Sequence, residues 1–374
     1  MTEKELERQQ PFFYWLYSIT GIGDATIRRL LQKEKKPEAI FYADRLTLQF
    51  WRQEGVLSEK QVQALQSSRK TWELYTRYDS LLHAGIRFYP IYHPLYPGKL
   101  ASAFDPPAAL FVKGKLPENQ KQSLAIIGAR SCSGYGRRMA ESFAGTLGEA
   151  GIQIISGMAR GIDGIAQSAA LRAGGASFGV LGCGVDICYP SQNREIYQQL
   201  IKQGGVISSY LPKTMPKPQY FPPRNRIISG LADALLVIEA REKIGTLITV
   251  DMALEQGREV YALPGRVADP VSEGCNRLIS QGAGIVLSPQ ELLAELTGNR
   301  QTGAARPEEK RELDEREKRI YAVLEDDPKS PEAIRREVEG QTGAAPALPE
   351  VMDTLVKLCM KGAVRQERGG YCVR

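Results

Sequence analysis

Only two histidines, His83 and His93, occur in the 374 residues, and both lie outside the region where the motifs concentrate. That scarcity argues against a zinc centre or a His-based catalytic triad. The six cysteines (Cys132, Cys183, Cys188, Cys275, Cys359, Cys372) show no Cys-x-x-Cys spacing. They read as reduced thiols of a cytoplasmic protein, with no metal expected. No apolar run approaches the roughly 18 residues of a bilayer span. Residues 1–10 are charged and the apolar stretch after them is broken by Tyr and Ser, so neither a signal peptide nor a membrane partner is expected. Internal repeats and low-complexity tracts are also missing.

What is present is a local excess of positive charge. Residues 123–230 hold eleven Lys/Arg against five Asp/Glu, an excess of six that equals the +6 of the whole chain. Residues 231–309 are acidic, with seven against twelve, and 310–374 balance at thirteen each. A pI near 8.9 says little by itself; a positive face confined to one segment points to an anionic ligand. At 41.4 kDa, two to three domains are expected.

The apolar spacing of residues 12–78 predicts helices. Within them, Ile19-Thr20-Gly21-Ile22-Gly23-Asp24 resembles a helix-hairpin-helix turn; it would either offer helix amides to a DNA phosphate or serve as a packing turn. Residues 85–115 are rich in Pro, Tyr and short β-prone runs and suggest extended cover on the sheet that follows. Apolar strand candidates then recur at 124–128, 152–156, 178–182, 206–209, 234–239, 259–263 and 284–287, with helical patterns between most of them. This alternation predicts an α/β fold, a doubly wound, Rossmann-like parallel sheet covered on both faces, with its ligand beyond the carboxyl ends of the strands. Residues 299–311 read as a linker. Three helices and a small hairpin over 312–374 have a winged-helix outline. The expected domains are therefore 1–80, 81–298 and 312–374.

Three turns carry the candidate chemistry. Gly128-Ala129-Arg130-Ser131-Cys132-Ser133-Gly134-Tyr135-Gly136 joins a strand to a helix, the context in which amides hold phosphate. It lacks both the Gly-x-Gly-x-x-Gly spacing of dinucleotide sites and the Lys-Ser/Thr of a P-loop, and places Arg130, Ser133 and Tyr135 at its mouth. In Ser156-Gly157-Met158-Ala159-Arg160-Gly161-Ile162-Asp163, Asp163 opens a helix and either caps it or pairs with Arg160. Phe221-Pro222-Pro223-Arg224-Asn225-Arg226 reads as a proline-fixed loop offering charge and a stacking face to an unpaired base, with Lys213 and Lys217 upstream. One of Arg224 and Arg226 is expected to pair internally, for instance with Glu239. The candidate DNA-binding residues are Arg130, Ser133, Tyr135, Gly136, Arg160, Lys217, Phe221, Arg224, Asn225 and Arg226; no cofactor or catalytic residue is expected.

The order of these turns, followed by Leu263-Pro264-Gly265 and Asn276-x-Leu278-Ile279-x-x-Gly282-Ala283, resembles the DNA-processing protein A (DprA/Smf) family. The resemblance implies an extended Rossmann-like core that binds single-stranded DNA without sequence preference. It also implies a homodimer that loads the RecA recombinase during natural transformation, and places the DNA pocket on Arg130, Ser133, Lys217, Phe221, Arg224 and Arg226. The chain departs from the family pattern at Gln167, where a histidine is usual, at Ser209, where a glutamate is usual, and at Ile244.

Two enzyme readings compete. Nucleoside-monophosphate phosphoribohydrolases share strand-end glycine turns and use a Glu and an Arg, and Glu239 would suit that role; their Pro-Gly-Gly-x-Gly-Thr run is absent. A nicotinamide dehydrogenase would need the missing dinucleotide glycines.

Overall fold

The computed structural model describes residues 3–241, 245–298, 313–325, 327–343, 345–361, 363–367 and 370–373. The expected linker at 299–311 lies outside them, as does Ile244. Contacts divide the chain into two compact units, 1–299 and 300–374.

The first unit begins with six helices, Glu3–Tyr17, Asp24–Lys33, Pro37–Tyr42, Arg45–Gln53, Glu59–Thr71 and Leu74–His83. They bury Phe13, Trp15, Leu16, Leu30 and Leu65, and the same apolar cluster continues through Phe88 and Phe111 to Leu181 and Val206 of the sheet region. Tyr17 Oη also donates to the Ser209 carbonyl at 2.6 Å. These helices and the sheet thus share one core. In the Gly21–Gly23 turn Ile22 is buried while both glycines are exposed. Asp24, at the start of its helix, accepts a hydrogen bond from the Ala108 amide at 2.9 Å, and burial raises its carboxyl pKa. Asp24 thereby ties this turn to Ala108, the packing role the sequence allowed for it.

Strands β1 (Arg87–Pro90) and β2 (Ala109–Gly114) lead into β3 (Ser123–Gly128), β4 (Gln153–Ser156), β5 (Ser177–Val180), β6 (Gly205–Ser208), β7 (Ala234–Ile238), β8 (Glu259–Ala262) and β9 (Gly284–Ile285). They form one sheet in the order β1-β2-β6-β5-β4-β3-β7-β8-β9. From β6 to β9 all neighbours are parallel. β3 and β7 are apolar along nearly their whole length because helices cover both faces. Residues 85–115 differ from expectation: β1 pairs antiparallel with β2 and β2 antiparallel with β6, extending the sheet at its edge instead of covering it. The chain leaves β3 for β4 on one side and returns to β7 on the other, so a topological switch point opens beyond the carboxyl ends of β3 and β7.

The second unit holds helices Glu315–Ala322, Pro331–Thr342 and Leu348–Met360 with the hairpin β10 (Val364–Glu367) and β11 (Gly370–Val373). Ile320, Ile334, Val351, Leu355 and Tyr371 form its core. Asp314 starts the first helix by accepting from the Arg316 and Glu317 amides, while Glu317 reaches back to the Asp314 amide. Among the described residues no helix is long and apolar enough to cross a membrane.

Candidate nucleic-acid interface

The first glycine turn is built around an internal carboxylate. β3 ends at Gly128, where any Cβ would overlap the Ile238 carbonyl oxygen on the neighbouring strand. The helix Gly134–Glu149 then starts from Ser133, whose hydroxyl accepts from the Gly136 amide at 3.1 Å. Glu239, one residue past β7, is 3% exposed and sits at φ 54°, a left-handed conformation rare for a side chain of its size. Its carboxylate accepts the Ser133 amide at 2.8 Å and the Ser133 hydroxyl, and its own carbonyl accepts the Ala129 amide at 2.8 Å. Gly136 has no side chain because that carboxylate fills the space. The expectation that this helix start holds a ligand phosphate is therefore corrected. Ser133 holds Glu239 and Gly136 makes room for it, and Tyr135 turns away to donate to the Pro264 carbonyl at 3.1 Å. What stays open is the stretch before them. Arg130 and Ser131 are exposed, and among the described residues no group accepts from the amides of Arg130 and Ser131.

The second turn locks onto the first. Ser156 Oγ donates to the Ile126 carbonyl at 2.6 Å and the Ile162 amide to the Ala129 carbonyl at 3.2 Å. Asp163 accepts the Gly157 amide at 3.0 Å. Burial raises its carboxyl pKa, and the charge it faces is Arg224, not Arg160. Arg160 is exposed.

The third segment is helix, not loop. Phe221–Leu231 begins with Pro222 and Pro223 in its first turn, where a fixed φ and a missing amide are tolerated. One turn of helix carries Arg224 inward, to 5% exposure. Its Nη1 donates to the carbonyls of Gly157, at 2.5 Å, and Val180, and its Nε to Asn225 Oδ1 at 3.1 Å. Burial lowers its pKa while the Asp163 carboxylate opposes that. Arg226 pairs with Glu255 at 3.1 Å and lies over the Phe104 ring. Both arginines are thus engaged internally, and Glu239 takes neither. Lys217 is exposed, its Nζ 5.9 Å from the Tyr220 ring centroid.

At the switch point these turns enclose a cleft of about 680 Å³. Of the candidate residues, Arg130, Phe221, Arg224 and Asn225 line it; Ser133, Tyr135, Gly136, Arg160, Lys217 and Arg226 do not. Two further lining residues were missed by the sequence reading, Tyr189 and Arg241. Tyr189 is 44% exposed, and its ring lies 5.8 Å from that of Phe221 at 32°, so the pair forms a tilted aromatic wall. Arg241 stands three residues past the end of β7, a position that the switch-point rule singles out once the strand order is known. A wall of aromatic rings beside exposed guanidinium and open amides suits a ligand with both bases and phosphates.

Burial pushes the Cys183 thiol up to about 12, and among the described residues no group of three His, Cys, Asp or Glu could hold a metal. Glu239, the residue a phosphoribohydrolase would need, does not line the cleft.

Comparisons with known proteins agree with one another. The Escherichia coli protein Smf is 46% identical over 202 residues, 54% of each chain, so the match spans about half of that relative's length. The DNA processing protein DprA of Bacillus subtilis is 36% identical over 245 residues, 64% of this chain and 82% of its own. The crystal structure of Streptococcus pneumoniae DNA processing protein A covers 76% of this chain and 98% of its own, with a TM-score of 0.65 at 31% identity. The Helicobacter pylori DNA processing protein A, solved for its single-stranded DNA binding mode, covers 55% and 94%, with a TM-score of 0.50 at 28% identity. The family model for DNA recombination-mediator protein A matches residues 87–297, more than half of the sequence and the whole of the sheet that builds the cleft, and the chain belongs to that family.

Proposed function

We propose that this protein binds single-stranded DNA in the switch-point cleft and passes it to the RecA recombinase, acting as a cytoplasmic homodimer without catalysis. The observation that carries the reading is the Tyr189–Phe221 wall facing Arg130 and Arg241. Unpaired bases stack on the rings, while phosphates meet the guanidinium groups and the amides of residues 130 and 131. Stacking on any base face is indifferent to sequence, as a mediator requires. The names of the relatives and the H. pylori structure support the same ligand. The RecA, homodimer and non-catalytic parts rest on the family resemblance, the last also on the internal engagement of Glu239.

Fluorescence anisotropy with labelled oligothymidine tests the binding step. Phe221→Ala is expected to weaken binding by about 5- to 160-fold, the loss of one stacked base at ~1–3 kcal/mol. Unlabelled duplex should compete far less well than single strand. Equal competition, or an unchanged affinity in the variant, would remove the cleft as the DNA site. The hand-over step is read separately, as faster RecA filament nucleation on strands coated with single-strand-binding protein.

A further inference from the structure

Beside the switch-point cleft lies a second one of about 450 Å³, between the helices Gly134–Glu149 and Ile162–Arg172. Four arginines line it, Arg130, Arg137, Arg160 and Arg172, against a single carboxylate, Glu141. All four are exposed. Among the described residues none of them forms an ion pair; Arg172 only donates to Ser168 Oγ at 2.9 Å. Four arginines against one carboxylate leave this cavity with a net positive lining that favours an anion. In contrast to the first cleft, no aromatic ring lines this one. It can grip phosphates and cannot stack bases.

The two clefts are continuous in one respect. Arg130 and Ser131 line both, so the stretch with the open amides is the ridge between them. Resting on the single-strand reading of the first cleft, we propose that the same strand, on leaving the aromatic wall, crosses this ridge and lays its sugar-phosphate backbone in the arginine cleft. The first cleft then holds the strand by bases and phosphates together, the second by phosphates alone. Arg137 and Arg172 are assigned as phosphate contacts of the second cleft, with Arg130 shared.

The test compares the full-length protein with its R137Q/R172Q variant, binding a thymidine tetranucleotide and an oligothymidine of ~15 residues over a range of salt. Both positions are exposed, and thermal melting verifies that the variant is folded. A tetranucleotide occupies the aromatic cleft alone, and its affinity should stay within about twofold. For the longer strand, losing two phosphate contacts should flatten the slope of log K against log salt by about 1.4, and weaken binding by about 10- to 30-fold near 0.1 M salt. An unchanged slope and affinity for the longer strand would overturn the proposal. So would an equal loss for both lengths, which would mark a diffuse field effect and not a path. Failure of the unaltered protein to bind either strand would instead bring down the reading of the first cleft.

Discussion

Arg224→Ala is expected to be the most destabilising single change in the sheet region, by about 3–5 kcal/mol. The substitution removes the side chain that donates to the carbonyls of Gly157 and Val180, and it leaves the Asp163 carboxylate buried without the cation it faces. Urea unfolding should show a lower midpoint with an unchanged slope. A midpoint shift worth less than about 1 kcal/mol would mean that the guanidinium is not the internal strut described here. The sign of the pH effect follows from Asp163. Its folded-state pKa lies above the unfolded value, so the folded protein takes up the proton first, and the stability this confers is present at low pH and lost as pH rises through the folded pKa. Without Arg224 that pKa rises further. The deficit of the variant should therefore shrink on acidification, and Asp163→Asn should recover part of it at neutral pH.

Gly161→Ala is the second large expected loss. Gly161 sits at φ 75°, ψ −134°, a conformation that strongly favours glycine, and a Cβ there would overlap the Ala129 carbonyl oxygen. The two glycine turns touch at this point, so relief requires moving the stretch that presents Arg130. A stability loss of roughly 3 kcal/mol or more is expected, together with weaker oligothymidine binding. The neighbouring Arg160→Ala should stay within about 0.5 kcal/mol of the unaltered protein in stability, since its side chain is exposed. If Gly161→Ala matched it, the two turns would not be mechanically joined.

Much of this architecture was readable from residue order. The seven parallel strands follow from short, nearly continuous apolar runs, and their observed ends fall within one or two residues of the apolar boundaries. The edge pair β1–β2 was not readable as such, because short runs between prolines and tyrosines do not say which strand they will join. At the cleft, residue identity was legible and direction was not. Arg130, Arg224 and Arg226 look alike in a motif, yet one turn of helix buries Arg224 and sets Arg226 against Glu255, while the turn before the helix leaves Arg130 in solvent. The prolines at 222 and 223 signal a rigid loop or a helix start equally well, and here they start a helix. Tyr189 and Arg241 come from distant loops, and only the order of strands brings them beside Phe221.

The seat occupied by Glu239 also bears on which anions this protein ignores. In many nucleotide-binding folds the start of the helix after the first strand is the deepest place for a phosphate. Here that place is plugged from within. A free mononucleotide or triphosphate therefore finds no anchor at that helix start. On the proposed single-strand reading a long polymer gathers many weaker contacts outside that seat, so chain length itself becomes the basis of discrimination against small phosphates.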